Sequence, residues 1–144
     1  MLSHHVVEPK LAKIFNLMND KEKKASIDVK AKPLRARSNP SFINHRNQYL
    51  FSIGGWDNKS IEFFLKSVDI YSIELDGWQI GAPLNVPRHS ASSCAINELV
   101  YTFCGHYGTF NLNSIEKINA KDASREAFLE NTNKTTGWEL IDLS

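Results

Sequence analysis

Apolar residues in this chain come in short alternating runs, not in long stripes. Tyr49 to Ile53 reads YLFSI, four apolar or aromatic residues broken by one Ser, and runs straight into Gly54 and Gly55. The pattern predicts a buried strand that stops at a backbone turn only glycine takes easily. Fifty positions on, Leu99 to Gly105 reads LVYTFCG, and the element returns. The echo extends to its surroundings. Pro33-Leu34 returns as Pro83-Leu84, and Asn47 as Asn97. Tyr49, Phe51 and Ile53 return as Leu99, Tyr101 and Phe103, and Gly55 as Gly105. Turn residues, alternating strand residues and glycine stops are the positions that set a fold. Their return at one interval marks a repeat architecture.

Each unit is expected to contain four short strands. In the second, Ala91 to Ile96 and Leu99 to Cys104 flank a tight turn at Asn97-Glu98, and Asn113 to Asn119 and Gly137 to Leu143 follow as third and fourth strands. In the first, Ser67 to Ile73 is the third strand, Leu75-Asp76-Gly77 the turn, and Trp78 to Ala82 the fourth strand, stopped by Pro83. Trp78 and Trp138 each follow a glycine. A polar stretch, Ala120 to Thr136, is inserted in the second unit, with a helical turn or two expected over Asp122 to Leu129.

Ahead of the repeats the pattern changes. Leu11, Ile14, Phe15 and Met18 follow helical spacing, so Pro9 to about Lys24 is expected to form a short amphipathic helix, with a weak strand over Ser26 to Lys32. Charge divides the chain near Ser38-Asn39-Pro40: residues 1–37 carry nine Lys/Arg against four Asp/Glu, and the remainder is acidic. Domains are therefore read as a basic, partly helical arm over 1–32 and a repeat region over 33–144, with units at 33–82 and 83–144. Phe15 is the one aromatic residue among the arm's lysines, too few to interleave with them for stacking on bases, which disfavours nucleic acid as its partner.

The order Gly54-Gly55, Tyr71, Trp78, at a period of about fifty, resembles the kelch repeat. Pro87-Arg88-His89-Ser90 is similar to the segment leading into a kelch blade. In the second unit Gly105 and Trp138 keep the pattern, while Cys104 replaces the first glycine and Ile118 the tyrosine. The resemblance implies an all-β fold: a partial kelch-type β-propeller of about two four-stranded antiparallel blades, with the short helical arm in front. It places Tyr71 and Trp78 in the space between adjacent blades. Two blades do not close a ring, since propellers have about 4–8. The chain is therefore expected to be part of a larger propeller, a truncated product, or a unit completed by further blades or by self-association. The resemblance further implies non-catalytic protein binding, as a scaffold or adaptor, with a partner the residues do not identify. An incomplete fragment without independent activity, or a propeller enzyme, are the alternatives.

Composition changes little in this picture. No apolar run approaches the roughly 20 residues a spanning helix needs. The N-terminus has neither a secretory nor a transit signal, so a cytoplasmic location is the default expectation. If Asn97-Glu98 is the turn, Cys94 faces Tyr101, and Cys94 and Cys104 lie too far apart for a disulfide. Both are expected to be small, buried free thiols. No catalytic carboxylate pair, metal-ligand spacing or phosphate loop stands out, and no cofactor is expected. His89, Cys104 and His106 are the one set that could converge on a rim, and loop histidines are the plainer reading. The loops hold the candidate binding residues: Trp56, Asp57 and Asn58 after one strand, His106 and Tyr107 after its repeat, and Arg88, His89 and Ser90 before a first strand. Trp, Tyr and Arg are the types that dominate interface energetics.

Overall fold

The computed structural model describes residues 35–124 and 137–143. The expected arm over 1–32 and the insert beyond Ser124 lie outside the described residues. The fold is all-β. Strands β1 (Ser41–His45), β2 (Tyr49–Ile53), β3 (Val68–Ser72) and β4 (Gly77–Ile80) form an antiparallel meander, here sheet 1. Strands β5 (Ser92–Ile96), β6 (Leu99–Phe103), β9 (Ser114–Asn119) and β10 (Glu139–Asp142) form a second four-stranded antiparallel sheet in the same neighbour order, sheet 2. A small hairpin, β7 (His106–Tyr107) with β8 (Phe110–Asn111), projects between β6 and β9. The expectation had no strands there. A 3-10 turn at Ala120–Asp122, capped by the Asn119 side chain, follows β9.

The two-residue turn Asn97-Glu98 sets the predicted register, with Ser92 opposite Phe103, Cys94 opposite Tyr101 and Ile96 opposite Leu99. In sheet 1 the matching turn is one residue longer, so Ser41 pairs with Ile53 and His45 with Tyr49. Ser41 thus corresponds to Ser92, Ile53 to Phe103 and Val68 to Ile115, each holding the same place in its ladder.

The sheets pack face to face. Phe51, Ile53, Val68 and Ile70 of sheet 1 meet Val100, Ile118 and Trp138 of sheet 2, with Ala82, Leu84 and Ala123 filling between. Each large side chain taken fully out of water there contributes about 1.5–3 kcal/mol. The Trp138 indole N–H donates to the Ala82 carbonyl at 2.9 Å, which satisfies the one polar atom of a buried ring. Tyr71 and Trp78 pair across β3 and β4 with ring centroids 5.4 Å apart, but alongside Leu50 and Phe42 on the face of sheet 1 turned away from sheet 2. The space between the two sheets holds Ile118 and Trp138, the corresponding pair of sheet 2, instead. Strand β3 is buried along its whole length, whereas β6 alternates, so sheet 2 is well covered on one face only.

Two buried arginines tie the architecture together. Arg37 donates through Nη1 to the carbonyls of Gly54 (2.9 Å) and Ser67 (2.7 Å), and through Nη2 to Ser67 Oγ (3.1 Å) and Asp69 Oδ2 (2.9 Å). Arg88 repeats the set: Nη1 to the carbonyls of Cys104 (3.0 Å) and Ser114 (3.1 Å), Nη2 to Ser114 Oγ (2.9 Å) and Glu116 Oε2 (2.9 Å). Each guanidinium clamps the segment entering a sheet to the turn after its second strand and to its third strand. Bidentate, planar donation suits Arg and not Lys. Burial pushes the Asp69 carboxyl above its ordinary value, with Arg37 pulling the other way. Burial likewise lowers the Arg37 guanidinium.

The glycine turn serves the joint between the sheets as well as the chain reversal. Gly54 and Gly55 have φ of +65° and +96°. A Cβ on Gly54 would lie 2.2 Å from the Arg88 carbonyl oxygen, and Gly55 N–H donates to that same oxygen at 2.8 Å. In sheet 2 the turn is Cys104 (φ +58°) and Gly105 (φ +80°). Both cysteines are free, and Cys94 faces Tyr101 as expected. The expectation that both are buried fails at Cys104, which is exposed, and Cys94 is half-buried.

Candidate aromatic rim

The glycine turns deliver the chain to one end of the paired sheets. There short backbone bridges fix the loops. Ser38 and Trp56 exchange N–H···O bonds at 2.8 and 2.9 Å, and His89 and His106 do so at 2.9 Å each. Trp56 also bridges to Phe64, so three segments run side by side. Asp57 turns the loop by accepting Lys59 N–H on its carboxylate at 3.0 Å, while its own N–H donates to the Phe63 carbonyl at 2.8 Å. An Asx turn of this kind is what short polar residues supply in loops.

The rings then meet. Trp56 stacks on Phe63, with centroids 5.4 Å apart and planes 10° off parallel. Phe63 stands edge-on to Phe64 at 4.9 Å. Phe64 stacks on His89 (5.4 Å, 18°) and stands edge-on to Tyr107 (5.6 Å, 86°). His89 and His106 lie 5.5 Å apart. Offset-stacked and edge-to-face contacts at these separations add about 0.5–1.5 kcal/mol each beyond area burial. The cluster is continuous across both sheets: Trp56, Phe63 and Phe64 come from the loop after β2, His89 from the segment before β5, and His106 and Tyr107 from the β7–β8 hairpin. Phe63 and Tyr107 remain exposed at 43% and 44%, next to the fully exposed Ile61 and the exposed Phe110.

The structure thus brings together Trp56, His89, His106 and Tyr107 of the expected binding residues. Asp57 shapes the same loop, and Asn58 and Ser90 lie exposed at its edges, with Ser90 Oγ 3.3 Å from His89 Nδ1. Arg88 is a correction. It is wholly buried in its ion pair with Glu116 and offers no surface to a partner. Phe63 and Phe64 were not foreseen; the signal for them was IEFFL, an apolar run directly behind the polar DNKS. Of the fold-defining residues, Gly54, Gly55 and Gly105 make the turns, Trp138 sits between the sheets, and Tyr71 and Trp78 pack on the outer face of sheet 1.

Among the described residues no group of three or more His, Cys, Asp and Glu is placed to hold a metal ion. No helix among them is long and apolar enough to cross a membrane. At the opposite end of the sheets a cleft of about 550 Å³ is lined by Tyr49, Gln48, Gln79, Lys121 and the Arg46–Glu98 ion pair. No protein-family model matches the chain, and no curated protein matches it.

Proposed function

We propose that this chain is a non-catalytic protein-binding module, a scaffold or adaptor, that meets its partner through the aromatic rim. The observation that carries the reading is the convergence of six aromatic and imidazole rings from both sheets into one cluster whose outer members stay exposed. Stacked aromatics held by backbone bridges lose little side-chain freedom on binding, and such residues concentrate interface energy. We also read sheets 1 and 2 as two consecutive kelch-type blades, a partial β-propeller. Two four-stranded antiparallel meanders, the positive-φ turn after each second strand and the repeat spacing support that reading. Fold alone does not fix function, so the binding role stands on the rim.

The test is affinity capture with the tagged full chain, carried out for the unaltered protein, Phe63→Ala, Tyr107→Ala and Leu75→Ala. Both rim positions are exposed, so their variants are expected to keep the fold. Leu75 is an exposed control in the turn between β3 and β4, away from the rim. A specific partner is expected to be retained by Leu75→Ala and lost by the two rim variants. A partner held equally by all four proteins overturns the assignment.

A further inference from the structure

We propose that sheet 2 is closed to a further blade. Neither another repeat nor sheet 1 of a second copy seats on its outer face by the joint that holds sheet 1 to sheet 2. The inference rests on the blade reading of the two sheets and on the geometry of their joint, and it is independent of the rim.

The joint uses a specific set of groups on the sheet 1 side. Gly54 leaves room for the Arg88 carbonyl, which Gly55 N–H then holds. The His45 ring bonds the Asn97 carbonyl at 2.9 Å through Nε2. Arg46 forms an ion pair with Glu98. Ser41 and Ser93 hydroxyls meet at 2.5 Å. Ile70, fully buried, lies in the middle of the apolar contact.

On the outer face of sheet 2 four of these six places are filled by residues that refuse their roles. The ladders align His45 with Ile96 and Ile70 with Lys117. The turn that holds Arg46 in sheet 1 is Asn97-Glu98 in sheet 2. Cys104 stands at the place of Gly54 with a similar positive φ, +58° against +65°. A carbonyl docking there as Arg88 docks on Gly54 would meet the Cys104 Cβ at a separation that real Cβ atoms essentially never show. Ile96 supplies no hydrogen bond, and Asn97 no cation. Lys117 pairs across the ladder with Glu139, Nζ to Oε2 3.6 Å, where the joint needs apolar surface. Covering that pair would take two charges out of water. Of the joint set, the serine is kept as Ser92 and the donor glycine as Gly105, and the apolar places of Phe51, Ile53 and Val68 hold Tyr101, Phe103 and Ile115; the block lies in the other four. A second copy fares no better. Its sheet 1 would bring the Arg37 carbonyl against Cys104, and it has Asn47 or Gln48 where Glu98 stands.

Two native thiols report on this face: Cys94 lies on it, opposite Tyr101, and Cys104 lies at its corner. The full chain is examined by sedimentation velocity over a wide concentration range, with thiol reactivity followed by Ellman's reagent. Both thiols are expected to react at rates independent of protein concentration, whether or not the chain associates through some other surface. Protection of Cys104 growing to roughly ten-fold or more with concentration, together with a heavier species, overturns the proposal. A companion chain carries a second copy of residues 83–143 at its C-terminus, with the cysteines of the added copy replaced by serine. Cys94 is expected to stay reactive in it. It is expected to become protected when Cys104→Gly, Ile96→His, Asn97→Arg and Lys117→Ile restore the joint. Protection with the native residues refutes closure. Failure of the four-residue variant to protect Cys94 refutes the assignment of the block to these residues.

Discussion

Replacing Arg37 by Met tests whether the buried guanidinium clamps hold the sheets. Met keeps much of the side-chain volume but removes four hydrogen bonds, to the Gly54 and Ser67 carbonyls, Ser67 Oγ and Asp69 Oδ2. The Ser67 carbonyl keeps a donor, because Gly54 N–H bonds it at 3.0 Å. The main loss is at Asp69, which is only 4% exposed and loses its ion-pair partner, keeping only the backbone hydrogen bond and the more distant charge of Arg35. Removing one member of a buried ion pair costs about 3–5 kcal/mol. Domains of this size have about 5–15 kcal/mol in all, so the variant stands near the edge of folding. The cost depends on pH in a definite sense. Burial already holds the Asp69 carboxyl above its ordinary value of 3.8, and Arg37 opposes that rise. Without Arg37 the folded-state pKa climbs further. A carboxyl whose pKa is raised by folding favours the fold below its unfolded value, and that contribution fades as pH rises through the folded value. The penalty of Arg37→Met is therefore largest at neutral pH and shrinks towards pH 4, by up to about 1.4 kcal/mol per pH unit. Urea titrations at pH 5 and pH 7, followed by tryptophan fluorescence, measure both quantities. A penalty below about 1 kcal/mol at pH 7, the scale of an exposed pair, would refute the clamp. So would a penalty that grows as the pH falls.

Three further outcomes follow from the turns and the joint. Cys104→Gly takes a side chain out of the left-handed region and is expected to raise stability by up to about 1 kcal/mol, read from the urea midpoint; a lower midpoint contradicts the assignment of strain there. Gly54→Ala places a methyl group against the Arg88 carbonyl in the same kind of turn and is expected to cost at least about 2 kcal/mol, with loss of near-ultraviolet circular dichroism as the sheets part; a variant with an unchanged midpoint and spectrum removes the joint from the account. Trp138→Phe deletes the indole bond to the Ala82 carbonyl and is expected to cost about 1–2 kcal/mol in thermal or urea unfolding; a neutral result means that this buried acceptor finds another donor.

Much of the fold was legible because two-residue turns and glycine stops are local signals. Asn97-Glu98 alone fixes which residues of β5 and β6 face each other, and Gly54-Gly55 marks the end of β2. The unforeseen hairpin β7–β8 has two residues on each side of its turn, too few for alternation to register. Sequence alone makes Arg88 a loop contact, because arginine in a polar segment is ordinarily exposed. Its burial becomes visible only when Arg37 and Arg88, Ser67 and Ser114, and Asp69 and Glu116 are matched as one set. A turn one residue shorter and a different loop before the third strand shift those matches off a single interval. The acid also changes from Asp to Glu. A search at one fixed spacing finds the strands and misses the clamp. Cys104 escaped for a related reason: composition says small and buried, while its place in the turn decides its exposure.

The rim and the joint share their chain segments, and on the proposed binding role that ties recognition to folding. His89 follows Arg88, whose carbonyl is the joint, and Trp56 follows Gly55, whose N–H holds that carbonyl. Phe64 of sheet 1 touches His89 and Tyr107 of sheet 2 only while the sheets are docked. A partner that grips rings from both sides therefore binds the docked state alone, and it stabilises the joint by mass action, about 2.7 kcal/mol when present at a hundred times its dissociation constant. Two kinds of lesion then separate. Phe63→Ala is expected to weaken binding at a stability cost of only about 1–3 kcal/mol, from its contacts with Trp56 and Phe64, because its ring is half exposed and no carbonyl or charge depends on it. Gly54→Ala is expected to abolish binding although it removes no rim side chain, because the rings lose their common platform. Ordinary surface recognition through one loop would not link the two sites in this way.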